Sequence, residues 1–108
     1  MRTFTCPYLV TDVELSSERE SHIAGAHPDL LPEHLAEIGL TLTDPDEVRR
    51  SLRIGTARLF CKWFEHVRQG KYVVVVVVSE AGIAERHWVV TAYITRRLAN
   101  GEVEWQRD

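Results

Sequence analysis

The sequence predicts an α+β domain in which N-terminal helices pack on a four-stranded antiparallel β-meander. Three observations predict it. Helix-start signals and apolar residues at helical spacing are confined to the first half of the chain. From residue 57 the period changes to the two-residue alternation of strands. Turn dipeptides then divide the second half into four runs, the order expected of an α+β chain.

Residues 8–15, "YLVTDVEL", read as a short extended lead-in. Ser17 with Glu20 three positions on has the form of a capping box, so a short helix is expected from about residue 17 to about 25. Gly25 and the restriction that Pro28 places on its predecessor end it. Pro32 at a first-turn position opens a second helix through "EHLAEIGLTL", with Leu35, Ile38 and Leu42 on the core face. Asp44 and Pro45, as cap and first position, predict a short third helix or turn in "DPDEVRRSL". "ARLFCKWFEH" then alternates, with Leu59, Cys61 and Trp63 on one face and Phe60, Lys62 and Phe64 on the other. After a turn at Gln69-Gly70, "KYVVVVVV" is a continuous apolar run, the mark of a central strand covered on both faces. Exposed, such a run would be an aggregation hazard. "EAG" at residues 80–82 turns the chain again. "RHWVVTAYIT" directs Trp88, Val90, Ala92 and Ile94 to one side and Val89, Thr91, Tyr93 and Thr95 to the other. Asn100-Gly101 signals a two-residue hairpin into the last strand, "EVEW".

The 108 residues form a single domain, and 44% apolar with 27% charged residues is the balance of a chain that folds. No apolar stretch approaches the roughly 20 residues of a membrane helix, and "MRTFTCPYLV" lacks the features of a secretory leader. Cys6 and Cys61 are too few for a disulfide framework and sit in no CxxC pattern, so a cytoplasmic setting is expected. The net charge of −3 hides a division. Residues 1–48 carry two basic and ten acidic side chains, and residues 49–108 carry eleven basic and six acidic. One face can therefore be basic although the whole is acidic.

His22 and His27, five residues apart, diverge by about 140° on a helix. No HExxH occurs, and His34, His66 and His87 add no ligand spacing, so neither metal nor cofactor is expected. GxxxxGK[ST], GxGxxG and GxSxG are absent, which argues against those nucleotide-binding folds and a serine hydrolase. Cys61, alternating with aromatic residues in a strand, reads as packing. The remaining sharp option is acid–base chemistry on a phosphodiester. Metal-free RNA cleavage needs a group to move protons and cations or hydroxyls around a phosphate that gains charge. Histidine suits the first role, and arginine and lysine the second. The catalytic set expected is His22, Lys62 and Thr91, with His27, Arg58, Tyr93 and Arg97 binding substrate. Thr91 and Tyr93 are two apart, so their hydroxyls share a face, and His22 is expected to look onto it. Each of these residues also has an ordinary structural reading as surface, cap or sheet face.

The segments "VELSSERESHIAGAHPDL", "LTDPDEV", "RLFCKW", "GKYVVVVV" and "WVVTAYIT" resemble, in that order, a group of phage- and mobile-element-associated domains. These are similar to the Barnase–EndoU–Colicin–RelE-like nuclease superfamily, which includes toxin ribonucleases. The resemblance spans about residues 8–98. It implies helices on an antiparallel meander and metal-independent RNA cleavage. His22 falls on the first helical histidine, His27 on that of the H-P-[ED]-L motif, and Thr91, Ala92 and Tyr93 on T-A-Y. Ala26 departs from the arginine often found before the second histidine. The function expected is a metal-independent endoribonuclease-like toxin or effector domain, with RNA as substrate and an antitoxin or immunity protein as a further partner. The alternative is a non-catalytic protein–protein or RNA adaptor of the same fold, with the acidic half as contact surface. A structural role in a larger assembly is a third reading, for which exposed Trp88 and Trp105 would supply the interface.

Overall fold

Strands open the chain. In "RTFTC" Phe4 and Cys6 turn inward while Thr3 and Thr5 stay exposed, and "TDVEL" buries Val13 and Leu15. These are β1 (Arg2–Cys6) and β2 (Thr11–Leu15), an antiparallel hairpin joined through a 3₁₀ turn at Pro7–Leu9. A computed structural model describes residues 1–82 and 85–108 of the chain. Helix α1 (Ser17–Ala26) follows, then α2 (Leu35–Thr43), β3 (Glu47–Ser51), β4 (Ala57–Phe64), β5 (Lys71–Glu80), β6 (Arg86–Thr95) and β7 (Gly101–Gln106). The turn expected at residues 80–82 falls where β5 ends, and residues 83 and 84 lie outside the described residues.

This corrects the expected architecture of N-terminal helices on a four-stranded antiparallel meander. Among the described residues the strands form a seven-stranded mixed sheet in the order β1-β2-β6-β5-β4-β3-β7, with two short α-helices. Three segments make the difference. The supposed lead-in belongs to a hairpin whose second strand joins β6 in parallel, at Glu14 opposite Trp88. "EVRRS", expected as helix or turn, is a strand because pairing with β4 seals Val48 against Phe60. Its entry is fixed when Asp46 accepts the Trp63 backbone N–H and donates its own N–H to the Cys61 carbonyl, both at 2.8 Å. Tertiary pairing here overrides local helix-start chemistry. Finally, Asn100-Gly101 makes no hairpin between β6 and β7. Residues 96–100 cross one face of the sheet and deliver β7 to the far side of β3.

The helices lie close to where the caps place them. Ser16, not Ser17, caps α1 by accepting the Arg19 backbone N–H at 3.1 Å. Glu20 instead meets Arg2 at 2.8 Å. Helix α2 buries Ile38 and Leu42 as their spacing predicts. The β4-β5-β6 meander is also as expected, with Lys62 opposite Val73 and Tyr93 opposite Val74. The valine run serves two cores. Val73, Val75 and Val77 join Ile23, Ile38, Leu42 and Phe60 on the helix side. Val74 packs with Leu59 and Cys61 on the other face, where Leu98 of the crossover lies against them.

The hairpin curls over the helix-side face until its tip reaches the opposite edge. Tyr8 stands edge-on to Phe60 with centroids 5.8 Å apart, and its hydroxyl donates to Glu104 of β7 at 2.8 Å. The tip closes with Val10 in the left-handed region at φ 59° and 88% exposed. A β-branched residue there is strained by roughly 1–3 kcal/mol. Val10→Asn, which tolerates that conformation, is expected to raise the unfolding midpoint by about 4 °C, read by thermal denaturation.

Candidate functional site

The crossover leaves a cleft on the face away from the helices. Its volume is about 530 Å³. Leu59, Val76 and Tyr93 form the floor, the β3–β4 loop with Ser51, Leu52, Arg53 and Ile54 forms one wall, and Ala99 and Asn100 form the other. Both walls are pinned. Ser51 Oγ accepts the backbone N–H groups of Arg53 and Ile54, each at 3.1 Å, and Arg50 reaches across the loop to the Gly55 carbonyl at 3.0 Å. Arg49 holds the crossover by donating to the Ala99 carbonyl at 2.8 Å, and Thr95 Oγ1 donates to the Arg97 carbonyl at 2.8 Å.

Tyr93 links this cleft to α1. Burial pushes its phenol above the ordinary tyrosine value, so the hydroxyl keeps its proton at neutral pH and serves as a donor. The His27 ring lies 6.2 Å from the Tyr93 ring, tilted by 40°. His27 ends α1: its backbone N–H bonds the Ile23 carbonyl at 2.7 Å, and its own carbonyl accepts from Leu30 and Leu31. This backbone fixes the half-buried ring without engaging its nitrogens.

The residues singled out from sequence divide between the two faces. Thr91 and Tyr93, opposite Val76 and Val74, share the cleft side, because directly opposed residues in a pair point the same way. His27 joins them. Arg97 is exposed at the start of the crossover. His22 is exposed on α1, whose buried residue is Ile23, and makes no hydrogen bond to the described residues. Lys62 and Arg58 belong to the helix-side face with Phe60, and both are engaged. Lys62 Nζ donates to the Asp44 carbonyl at 2.8 Å and lies 3.6 Å from the Asp46 carboxylate. Arg58 Nε donates to Glu104 at 3.0 Å.

That last contact belongs to a polar network foreseen in none of its parts except Arg58. Glu104 joins Tyr8, Arg58 and Arg50, the last at 2.6 Å. Arg58 continues to Ser79 Oγ at 3.4 Å, which stands 2.6 Å from Nδ1 of buried His87. Burial alone pushes the Glu104 carboxyl up, but hydrogen bonds from Tyr8 and Arg58 and the charges of Arg58 and Arg50 outweigh it, and the net shift is down. So firmly neutralised, Glu104 is a poor base and a good strut.

Charge pairing separates spent cations from available ones. Eight of the thirteen lysines and arginines have a carboxylate within 4.0 Å among the described residues, leaving Arg19, Arg53, Lys71, Arg96 and Arg97. Arg53 lines the cleft, and Arg96 and Arg97 sit on the segment that forms its wall. Sequence reasoning missed Arg53 and Asn100. The Ser51-to-Gly55 turn signal was the one available pointer to the loop that carries Arg53.

Cys61 is no nucleophile: burial pushes its thiol up to about 12. No three His, Cys, Asp or Glu side chains among the described residues are grouped to hold a metal ion. Among the same residues no helix is long and apolar enough to cross a membrane. Comparison with protein-family models, with curated proteins and with solved structures finds no match to this chain.

Proposed function

We propose that this domain cleaves single-stranded RNA without a metal, as a toxin or effector, in the cleft bounded by the β3–β4 loop and the crossover. The observation that supports the reading is the approach of His27 to Tyr93, on the floor of a cleft also lined by Arg53, a cation with no carboxylate partner among the described residues. His27 then takes the proton-transfer role first assigned to His22. It removes the proton of the ribose 2′-hydroxyl, and the freed oxygen attacks the adjacent phosphorus. The bond to the 5′-oxygen breaks, and that oxygen leaves with a proton from water at the open mouth. The products are a 2′,3′-cyclic phosphate and a 5′-hydroxyl end. Arg53 and Arg97 offset the charge that builds on the non-bridging oxygens, and the Tyr93 phenol donates a hydrogen bond to one of them. Thr91 flanks Tyr93 as a second hydroxyl. Lys62 and Arg58 act in the fold.

Incubating the purified protein with defined single-stranded RNAs in EDTA tests this. Fragments ending in cyclic phosphate are expected. Intact RNA under those conditions would overturn the reading. RNA binding that weakens steeply with salt, without cleavage, would favour the adaptor role instead.

A further inference from the structure

We infer that the cleft is a nucleobase subsite, in which Asn100 selects an adenine while Arg53 holds the phosphate beside it. The inference takes its ligand class from the RNA reading above and adds which part of the RNA the cleft receives.

Apart from Arg53 and the Tyr93 phenol, the lining is unlike that of a phosphate groove. Leu52, Ile54, Leu59 and Val76 present aliphatic surface, with Arg53 and the Tyr93 phenol among them. A phosphate is small, charged and hydrated and gains nothing from such walls. A flat heterocycle gains from apolar contact on its faces and needs polar groups only at its edge. The exposed aliphatics are held in place. Leu52 is 70% exposed and Ile54 52% exposed, on a loop whose backbone is fixed by Ser51 Oγ and the Arg50 guanidinium. They therefore stand as a preformed rim that a ligand covers.

The edge is read by Asn100. Its side chain makes no hydrogen bond to the described residues and stands at the cleft wall. A carboxamide offers an acceptor and a donor side by side. On the N6/N7 edge adenine presents the complementary donor and acceptor, whereas guanine presents two acceptors there. A floor made from β4, β5 and β6 together suits the larger purine ring. Arg53 follows the exposed Leu52 in the same loop, which sets its guanidinium beside the base for the adjoining phosphate.

The test uses the wild-type chain and four fluorescent pentaribonucleotides with 2′-O-methyl riboses, UUAUU, UUGUU, UUCUU and UUUUU. These lack the attacking hydroxyl and report binding alone. UUAUU is expected to bind about 5-fold or more tightly than the others, the lower range for one bidentate amide–base pair. Asn100→Ala is expected to bring all four within about twofold of one another, and Arg53→Ala to weaken all four alike. Equal wild-type affinities, no binding to any pentamer, or a preference that survives Asn100→Ala would overturn the inference. The two readings fail separately. Cleavage of ordinary RNA with no base preference removes the subsite and leaves the nuclease. Adenine preference with no cleavage removes the nuclease and leaves the subsite.

Discussion

Glu104→Ala is expected to lower the free energy of unfolding by about 3 kcal/mol, the near end of the range for deleting one member of a buried ion pair, since these contacts are only part-buried. The near end applies because Arg50 is 43% exposed and can return part of its charge to water, while Arg58 is 24% exposed and cannot do so as freely. The cost arises from what remains. Tyr8 loses the acceptor at 2.8 Å that ties the hairpin tip to β7, and two guanidiniums are left side by side with no anion between them. Tyr8→Phe removes one hydrogen bond and keeps the ring on Phe60, so it should cost about 1 kcal/mol. Urea denaturation of the two variants against wild type checks the ordering. The pH dependence has a fixed sign. A carboxyl held below its unfolded value stabilises the fold above that value, and the stability is lost as pH falls through the folded value. Wild type should therefore weaken progressively on acidification below about pH 4.5, and Glu104→Ala should show a shallower decline. A variant as stable as wild type at neutral pH would mean that the tip is held by Phe60 and Trp105 packing alone.

The same network shows where the sequence is legible and where it is not. Alternation identifies β4, β5 and β6, and the caps identify α1 and α2, because each depends on residues a few positions apart. Glu104, Arg58, Ser79, His87 and Tyr8 come from four strands and a turn, and nothing local announces that they meet. The position of β7 is hidden for the same reason. Asn100-Gly101 is a hairpin signal wherever it occurs, and only the chance to pair with β3 decides otherwise. The candidate site divides along the same line. Thr91 and Tyr93 share a face by their spacing alone. Whether Lys62 shares it depends on register across two strand pairs. With Lys62 opposite Val73 and Tyr93 opposite Val74, neighbours on β5, the two must point to opposite sides. From the sequence, His22 and His27 are both expected at the cleft. His22 stays exposed beside buried Ile23, whereas His27, where α1 ends, brings its ring within 6.2 Å of the Tyr93 ring.

His27→Ala is expected to slow RNA cleavage by about 10³-fold, within the usual range for removing a proton-transfer group. The change should leave the fold in place. The contacts that end α1 are made by the backbone of residue 27, which alanine retains, and the ring makes no hydrogen bond to the described residues. An unchanged thermal midpoint separates lost chemistry from lost structure. His22→Ala provides the contrast. That side chain is exposed and has no partner among the described residues, so its removal should alter the rate by less than about threefold. Tyr93→Phe takes away one donor from a charged intermediate and should cost about 10²-fold, with less effect on RNA affinity than on rate. The pattern across the three variants carries more than any one of them. A large loss at His22 with none at His27 would put proton transfer back on the exposed turn of α1. Loss at neither would mean that any cleavage observed does not use this cleft.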